Sequence, residues 1–538
     1  MAEFFYRTEE IKLEEIEGYF VESKQDRQII DQLKSRTPTI LVGSRGVGKS
    51  FLFRVAQSEL QKSFVKDKVL PIYVTFRGSS LIQTNNPQQF HHWMLSRICH
   101  ELIRVLSKSG KLTITPTSLN VIAGGSVTAE VFKKTKIEDI TQAFEDSWKN
   151  PGTDVDIEGM PTTDLFLDAV EDICRDVDIS RFVVFIDEAA HVFLPEQQRQ
   201  FFTLFRDIRS PYISCKAAVY PGVTVFGETF QPMHDATVLS LHRDIQDEKY
   251  VANMREIVTK QAEDSSIIKT ISKRGENFAI LAYAASGNPR HLLKTLLLAQ
   301  KLDSDAINKV IREYYRTDIW SEHSKLAEKF IGHRPLIDWG RRFIESDVLP
   351  DIQQKNIHNL TDDKRTSSYF WVHRDAPQPV KEALRLLEYT GIVIEHASGI
   401  KATRAQIGTR YAVNLGTLIA LETTPTSTAL TIAKSLSIKK MTEYGENHKI
   451  YESLLVEHPK FDEPDMTILL TQELEKPVGV LDLTLWQIDK ILSLGLNTVG
   501  DILKAPESKL LEATQVGVKR ARRIRNAAMT AVYEYLSG

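Results

Sequence analysis

The chain has 538 residues, too many for one hydrophobic core, so the sequence predicts two to four domains. Its 68 basic and 71 acidic residues nearly cancel, so any affinity for nucleic acid or a membrane must come from local patches. The three cysteines are widely spaced and there is no apolar run of membrane-spanning length or signal-peptide pattern, so we expect a cytoplasmic protein without disulfides, structural zinc or a membrane partner.

A phosphate-binding pattern lies near the N-terminus. The residues GSRGVGKS match G-x-x-x-x-G-K-[ST], after the apolar run Thr39–Val42 and before a run with helical periodicity. Glycines allow backbone N–H groups to surround phosphate oxygens, and a helix N-terminus favours negative charge. Lys49 is predicted to reach the β- and γ-phosphates of ATP, and Ser50 to coordinate Mg²⁺. The predicted nucleotide-binding residues are Gly43, Ser44, Arg45, Gly46, Val47, Gly48, Lys49, Ser50 and Phe51.

Residues 108–165 have the character of an insertion. The run LTITPTSLNVIAGGSVTAEVF alternates in hydrophobicity, which predicts a β-hairpin around Gly124 and Gly125. Residues 138–178 then contain thirteen acids against two basic residues. We interpret that segment as a solvated face that repels nucleic acid, in preference to a metal site.

An acidic pair follows a second buried strand. The residues RFVVFIDE place five apolar positions directly before Asp187 and Glu188. Phosphoryl transfer depends on positioning and charge stabilisation, so we predict that Asp187 holds Mg²⁺ and that Glu188 orients the attacking water.

The elements after Glu188 narrow the class of P-loop protein. EQQRQFFTLFRDIRS predicts a helix, SCKAAVYPG and ATVLSLHRDI predict strands, and GNPRHLLKTLL predicts an amphipathic helix. The sequence lacks an LSGGQ signature before the acidic pair, which argues against a transporter-type or SMC-type ATPase. It also lacks a convincing guanine-reading NKxD motif, which argues against a GTPase. This order, together with YFVESKQDRQIIDQL and GNPRHLL, resembles the AAA+ superfamily, most of all its origin-recognition and STAND-like branches, over about residues 15–320.

The resemblance implies further roles. Arg290 would be the second sensor, a catalytic residue that reaches the γ-phosphate from a helical lid; the alternative is an arginine that faces solvent. The first sensor is usually a polar residue after the next strand, but this sequence has Tyr220, Pro221 and Gly222 there, with Thr224 beyond.

Five more residues carry over from the family, in two roles. Arg206 and Arg209 end a predicted helix, where AAA+ proteins often place an arginine finger for the neighbouring subunit; a solvated helix end is the alternative. Tyr19, Phe20 and Arg27 lie where the family packs adenine. The resemblance therefore implies ATP and Mg²⁺ as cofactors, and a homo-oligomer or a partner effector protein.

A winged-helix-like domain is predicted over residues 326–421. Its pattern is helix, strand, turn, strand, with Leu384, Leu387 and Ile392 facing one core and a ribbon turning at Ser398–Gly399. The basic residues that would follow DNA phosphates are Lys381, Arg385, Lys401, Arg404 and Arg410. Packing within the protein is the alternative role of this domain.

Two further segments follow the predicted winged-helix-like domain, and only the second has strong sequence patterns. Residues 422–475 predict a linker with a small helical spacer. Residues 476–538 predict two helix–turn–helix units, with turns at 494–496 and 516–518. They resemble a helix-hairpin-helix pair, and in particular the C-terminal domain of the RNA polymerase α subunit. In such hairpins backbone N–H groups bind DNA phosphates without reading bases.

A basic patch supports nucleic-acid binding by this domain. Six basic residues stand against Glu512 between positions 509 and 525, a local charge of +5. The predicted DNA contacts are Lys519, Arg520, Arg522 and Arg523. Gln515 replaces the first glycine expected in the second hairpin, which leaves docking of a partner protein as the alternative.

The sequence therefore predicts an α/β P-loop AAA+ protein with helical, winged-helix and helix-hairpin-helix additions. The predicted domains are a core over 1–235, a last core strand and lid over 236–325, then 326–421, 422–475 and 476–538. The predicted function is an Mg²⁺-ATP-dependent switch of an assembly on double-stranded DNA. The alternative is a STAND-like signalling or scaffolding NTPase in a multi-protein system, such as anti-phage defence or a mobile element.

Overall fold

The structure, a computed structural model, divides the chain into two compact units. It describes residues 4–5, 8–76, 82, 88–110, 117–126, 135–149, 152, 154–189, 195–227, 229–262, 265–329, 333–362, 364–402, 405–456, 474–481 and 483–536. The first unit contains Met1–Arg243, Lys249–Ile268 and Asn288–Leu293; the second contains Asp244–Glu248, Lys269–Gly287 and Lys294–Gly538.

A parallel sheet of five strands forms the centre of the first unit. The strands are β1 (Thr39–Val42), β2 (Val69–Thr75), β3 (Arg181–Asp187), β4 (Ile213–Val219) and β5 (Thr237–Ser240). Their order is β2-β3-β4-β1-β5, and every neighbouring pair is parallel. Because the carboxyl ends of parallel strands share one edge, the loops after β1 and β3 open at the same edge of the sheet.

Helices cover this sheet and bury its apolar residues. From the N-terminus they are α1 (Lys24–Lys34), α2 (Lys49–Asp67), α3 (Gln89–Lys108), α4 (Leu119–Ala123), α5 (Lys136–Glu145), α6 (Thr163–Asp176) and α7 (Pro195–Asp207). The helices that follow in the chain are α8 (Pro232–Asp235), α9 (Tyr250–Gln261), α10 (Ser265–Lys273), α11 (Gly275–Ala284) and α12 (Pro289–Leu298). Helix α11 belongs to the second unit, and α10 and α12 contribute residues to both. Side-chain caps fix several helix starts; Ser23 accepts a hydrogen bond from Asp26 N–H at α1, and Thr162 accepts one from Leu165 N–H at α6.

The hairpin predicted around Gly124 and Gly125 is wrong over the residues described there. Leu119–Ala123 form helix α4, whose Leu119, Ile122 and Ala123 are buried. Gly124 ends this helix at φ 76°, a left-handed conformation that suits glycine at a helix C-terminus. The other parts of the predicted hairpin that the structure leaves undescribed are residues 112–116 and 127–132.

The second unit contains a four-stranded sheet. Its strands are β6 (Tyr369–His373), β7 (Val393–Lys401), β8 (Ile407–Val413) and β9 (Thr442–Tyr444), in the order β7-β8-β6-β9. The pairs β7–β8 and β6–β8 are antiparallel, and β6–β9 is parallel. Leu384, Leu387 and Ile392 are buried, in agreement with the predicted pattern.

The predicted turn of the β7–β8 ribbon is misplaced. Ser398 and Gly399 lie within β7, where the pairing shifts register between Ala397 and Ile400. Gly399 has φ 67°, so the glycine allows a bulge in the strand and the chain reverses only after Lys401. The serine and the glycine, which predict a turn, therefore belong to an irregularity within the strand and not to its end.

Helices make up most of the remainder of the second unit. They are α13 (Ser304–Glu313), α14 (Ile319–Ser324), α15 (Leu326–Lys329), α16 (Arg334–Arg342), α17 (Leu349–Thr361), α18 (Gln378–Thr390), α19 (Leu415–Ile419), α20 (Pro425–Lys434), α21 (Glu452–Val456), α22 (Leu485–Ser493), α23 (Val499–Lys504), α24 (Glu507–Leu511) and α25 (Val518–Leu536). Two π-helical segments, Tyr314–Asp318 and Phe343–Val348, continue α13 and α16.

The segment predicted as a linker is largely built into the second unit. Of residues 422–475, the part from Pro425 to Val456 contains α20, strand β9 and α21. Tyr444 and Tyr451 are buried, and Tyr444 donates a hydrogen bond to Asp351 Oδ2 at 2.9 Å. A three-residue strand paired with a distant segment leaves no local pattern, which explains the error. Residues 457–473 lie outside the described part of the chain.

The last four helices have a small apolar core of their own. It includes Val478, Ile491, Val499, Ile502 and Ile524. Among the residues that the structure describes, no helix combines the length and the apolar character needed to cross a bilayer. The predicted α/β class, with a parallel P-loop sheet followed by mainly helical regions, is confirmed.

Candidate nucleotide-binding site

The loop between β1 and α2 requires glycine for two reasons. Gly46 and Gly48 have φ values of 88° and 104°, a region that side-chain-bearing residues rarely adopt. In addition, a Cβ on Gly46 would lie 3.0 Å from both Arg290 Cβ and Asn288 Oδ1. The backbone of this loop therefore approaches helix α12, called the lid helix below, closely enough to exclude a side chain.

Lys49 is buried at the start of α2. Its Nζ donates hydrogen bonds to Gly43 O at 2.6 Å and to Ser44 O at 3.1 Å, and lies 4.0 Å from the centre of the Tyr220 ring. Burial lowers the pKa of Lys49 to about 7, against the opposing effect of Asp187. Anionic phosphate oxygens are better partners for an ammonium group than neutral carbonyls, so this environment fits a phosphate ligand.

Asp187 is the buried last residue of β3. Its Oδ2 accepts a hydrogen bond from the Tyr73 hydroxyl, and its Oδ1 accepts one from Glu188 N–H at 2.9 Å. Burial and the adjacent Asp187 raise the pKa of Tyr73, so the hydroxyl remains a donor. Arg54 of α2 lies 4.0 Å from the centre of the Tyr73 ring. These contacts fix the orientation of the Asp187 carboxylate, as hydrogen bonds to the ligands of a bound metal ion do.

Glu188 adopts a strained backbone conformation. Its φ of 57° is uncommon for a residue with a side chain and costs free energy that the surrounding structure must supply. Such residues concentrate at functional sites.

The lid helix is tied to the phosphate-binding loop by Asn288. Its Nδ2 donates to Arg45 O at 2.9 Å, while its Oδ1 accepts from Arg290 N–H at 3.1 Å and from His291 N–H at 3.4 Å. One side chain therefore caps the lid helix and holds the loop. Arg290 lies beside Gly46 and contributes to the electrostatic environment of Lys49.

Arg243 is a site residue that the sequence did not reveal. It follows β5, and its Nη1 donates to Val47 O at 2.6 Å, while its Nη2 lies 3.4 Å from Asp26 Oδ1. The ion pair with the buried Asp26 links the start of α1 to the loop. The one feature of the sequence that indicates a role for Arg243 is its position at the end of a short predicted strand.

An apolar cavity of about 100 Å³ adjoins the loop. Its lining includes Tyr19, Phe20, Phe51 and Arg290. Two of the residues predicted to pack adenine thus line a cavity beside the loop. Arg27 does not line it; it pairs with Glu22 and Glu59 at 2.7 and 2.8 Å.

The first unit therefore brings most of the predicted nucleotide-site residues together. Ser44 and Arg45 supply loop carbonyls, Ser50 lies in the first turn of α2, and Phe51 borders the cavity. At the first-sensor position, Tyr220 covers Lys49 and Thr224 donates to Tyr220 O at 2.6 Å.

The arginines at the end of α7 have partners within the first unit. Arg206 pairs with Asp207 at 2.8 Å and donates to Thr229 O at 2.6 Å. Arg209 lies 3.8 Å from Asp235. The finger role predicted for them stays a prediction.

The predicted DNA contacts near the C-terminus have unequal surroundings. Arg522 pairs with Glu446 at 2.9 Å, and Arg520 donates to Gln515 O at 2.6 Å. Arg523 is exposed and has no hydrogen bond or ion pair with any residue that the structure describes. Gln515 has φ 69°, so it adopts the conformation of the glycine that it replaces. The side chain of Lys519 lies outside the description.

The basic residues of the winged-helix-like region differ in the same way. Burial lowers the pKa of Lys381, Arg385 pairs with Glu382 at 2.7 Å, and Arg410 donates to Ile438 O at 3.3 Å. Lys401 is exposed at the end of β7, whereas Arg404 lies outside the described residues. Among the described members of this set, Lys401 is therefore the one best placed for a ligand.

Among the solved structures that match the chain, two show the following partial similarity. The structure of the Aeropyrum pernix ORC1 protein in complex with DNA is 15% identical over 76% of this chain and 93% of that chain, with a TM-score of 0.29. The crystal structure of a DNA replication initiation factor is 11% identical over 64% of this chain and 86% of that chain, with a TM-score of 0.26. No curated protein matches.

A family model described as ORC-CDC6-like matches residues 4–339, which include the phosphate-binding loop, the acidic pair and the lid helix. The match extends over more than half of the sequence. The chain therefore belongs to the ORC-CDC6-like family of AAA+ proteins.

Proposed function

We propose that this protein binds ATP with Mg²⁺ and hydrolyses it. The observation that carries the proposal is the convergence of opposite charges at one edge of the parallel sheet. The buried Lys49 begins α2, the buried Asp187 ends β3 directly before Glu188, and Arg290 lies beside Gly46 of the loop. Polyphosphate needs cations and N–H donors, and Mg²⁺ needs oxygen ligands. Both sets of groups are present at this edge.

Each side chain has a distinct proposed role. Lys49 would exchange the carbonyls of Gly43 and Ser44 for phosphate oxygens. Ser50 and Asp187 would hold Mg²⁺, which neutralises charge on the transferred phosphoryl group. Glu188 would orient and polarise the attacking water, since its carboxylate directly follows the metal-binding residue.

The position of the lid helix would depend on whether the bound nucleotide carries a γ-phosphate. Asn288 binds the loop carbonyl of Arg45, and Arg290 lies beside Gly46. A γ-phosphate that contacts Arg290 would favour one lid position over another, and its loss on hydrolysis would remove that preference. We infer that this difference switches a DNA-associated assembly.

We further infer that the C-terminal region binds double-stranded DNA without sequence preference. The supporting observations are the local charge of +5 between residues 509 and 525 and the exposed, unpaired Arg523 among the described residues. Homo-oligomer formation and a cytoplasmic location belong to the same proposal.

A STAND-like signalling or scaffolding role is the second candidate. It is favoured by the ion pair of Arg522 with Glu446, which engages one of the predicted DNA contacts. Exposed apolar side chains on the same domain, Leu511 and Val518, would then contact a partner protein.

Replacement of Glu188 tests the ATPase proposal. We expect Glu188→Gln to bind ATP within about two-fold of the unmodified protein and to lower turnover about 100-fold or more, because a positioned general base contributes about 10²- to 10⁴-fold. Lys49→Ala is the matched control and should lose ATP binding itself. Full turnover by Glu188→Gln, measured as phosphate release, would remove Glu188 from the mechanism.

A further inference from the structure

An exposed apolar pair lies at the start of helix α22. The side chain of Leu485 is 82% exposed and that of Trp486 is 37% exposed. The helix start is fixed by a capping box in which Thr484 accepts a hydrogen bond from Gln487 N–H and Gln487 Oε1 accepts one from Thr484 N–H. The exposure of Trp486 therefore belongs to a well-formed helix end and not to a frayed one.

Two cations from different helices lie over the Trp486 ring. The guanidinium of Arg520, on α25, is 5.0 Å from the ring centre, and the ammonium of Lys490, one turn further along α22, is 5.6 Å away. Arg520 is held there by its hydrogen bond to Gln515 O. The result is a partly exposed indole with two cations over its ring, which we call the Trp486 site.

We propose that the Trp486 site binds an unpaired base of DNA, with the indole stacking on the base and with Arg520 and Lys490 contacting the adjoining phosphates. The inference rests on the proposed DNA binding of the C-terminal region and adds to it a site for DNA with accessible bases. A base inside an intact duplex has both faces covered by its neighbours, so it offers no face to an indole. A single strand or an opened duplex does.

The energies of base stacking and of cation–π contacts allow a base to replace a cation on the Trp486 ring. Stacking of a base on an aromatic side chain is stronger than an exposed cation–π contact. A base can therefore displace a cation from the ring, and the displaced cation remains near the backbone phosphate of the same nucleotide. Such a site tolerates any sequence, since every base has a π-face.

The first unit contains a matched aromatic control. Trp148 is 47% exposed and Lys149 lies 5.8 Å from its ring centre, but Lys149 is paired with Asp146 at 2.8 Å. The surrounding segment is strongly acidic. We expect an exposed indole without available positive charge not to retain DNA. Replacement of Trp148 therefore tests whether exposure of an indole is by itself enough for DNA binding.

The experiment compares a 15-nucleotide oligo(dT) with a blunt-ended duplex of random sequence, by fluorescence anisotropy on the full-length chain. We expect Trp486→Ala to weaken oligo(dT) binding about ten-fold, which corresponds to the loss of one stacked base, while duplex binding stays within about two-fold. Trp486→Phe should restore most of the single-strand affinity, and Trp148→Ala should change neither ligand.

Three outcomes would overturn the inference. Unchanged oligo(dT) affinity in Trp486→Ala, with duplex binding intact, would reject the Trp486 site while the proposed DNA function stands. Equal loss on both ligands would show that Trp486 supports the fold or a general phosphate surface. Binding of neither ligand by the unmodified chain, with capture of an acidic peptide that Trp486→Ala abolishes, would reject the proposed DNA function as well and identify a protein-docking site.

Discussion

At the scale of single residues, strand register explains how Asp187 is held. Strands β2 and β3 pair Thr75 with Asp187 and Tyr73 with Phe185. Tyr73 and Thr75 share one face of the sheet, so Tyr73 is the diagonal neighbour of Asp187, within reach of a long aromatic side chain. The hydroxyl of Tyr73 thereby reaches the carboxylate that would hold Mg²⁺.

Removal of that hydroxyl should weaken metal use without disturbing the packing. Tyr73→Phe keeps the ring beneath Arg54 but leaves Asp187 Oδ2 without this donor. We expect the Mg²⁺ concentration for half-maximal ATPase activity to rise about ten-fold, as when other groups that orient a metal ligand are removed. Tyr212→Phe, whose hydroxyl lies 3.5 Å from Glu171, is the control and should leave it unchanged. An unaltered Mg²⁺ dependence in Tyr73→Phe would contradict the metal role of Asp187.

A buried acid in the second unit predicts a dependence of stability on pH. Burial, together with Glu395, raises the pKa of Glu388 from its ordinary value of 4.5 to about 8. The folded protein thus holds a proton that the unfolded chain releases, so Glu388 reduces stability progressively as pH rises from 4.5 to 8. We expect Glu388→Gln to raise the melting temperature at pH 9 more than at pH 5. An equal change at both values would show that Glu388 does not titrate on unfolding.

At the scale of elements, the lid helix combines capping with attachment to the loop. The Asn288 amide uses its oxygen for the helix N-terminus and its nitrogen for Arg45 O. These functions can be separated, since a serine also caps helices but is too short to reach the loop. The lid can therefore be loosened while its helix is preserved.

Asn288→Ser should lower ATP affinity while leaving the melting temperature nearly unchanged. Without this contact the loop spends less time in the conformation that binds phosphate, so we expect a dissociation constant about five-fold higher, which corresponds to about 1 kcal/mol. Asn288→Ala also removes the cap and should destabilise the protein by about 1 kcal/mol more. Calorimetric titration with ATP and thermal unfolding measure the two effects. Equal affinity in all three proteins would mean that the lid contact does not support binding.

Elements defined by contiguous patterns were predictable from the sequence, and those defined by distant pairing were not. The phosphate-binding loop and the strand before Asp187 are continuous in sequence, which is why their positions agree with the structure. Strand β9 has three residues and exists because it pairs with β6, more than sixty residues earlier. Likewise the contacts of Arg243 and Tyr220 depend on the order of strands, which no local pattern contains.

At the scale of the whole molecule, near-neutral composition hides a division of charge. Residues 138–178 are strongly acidic, whereas residues 509–525 carry +5. Not all of the basic groups are equally available, because Arg522 is paired with Glu446 and the neighbouring Arg523 is exposed without a partner among the described residues. Adjacent arginines on one helix thus offer a comparison at constant total charge.

Salt dependence of duplex binding should distinguish these two arginines. Each phosphate neutralised contributes about 0.9 to the slope of log affinity against log salt concentration. We expect Arg523→Ala to reduce this slope by about 0.9, since the free guanidinium releases a counterion from DNA. Arg522→Ala removes the same charge but leaves Glu446 unpaired, so it should change the slope less and lower thermal stability slightly. Anisotropy titrations at several salt concentrations measure both slopes. Identical slopes for both variants and the unmodified chain would place the DNA contact outside helix α25. That result would favour a role of helix α25 in docking a partner protein.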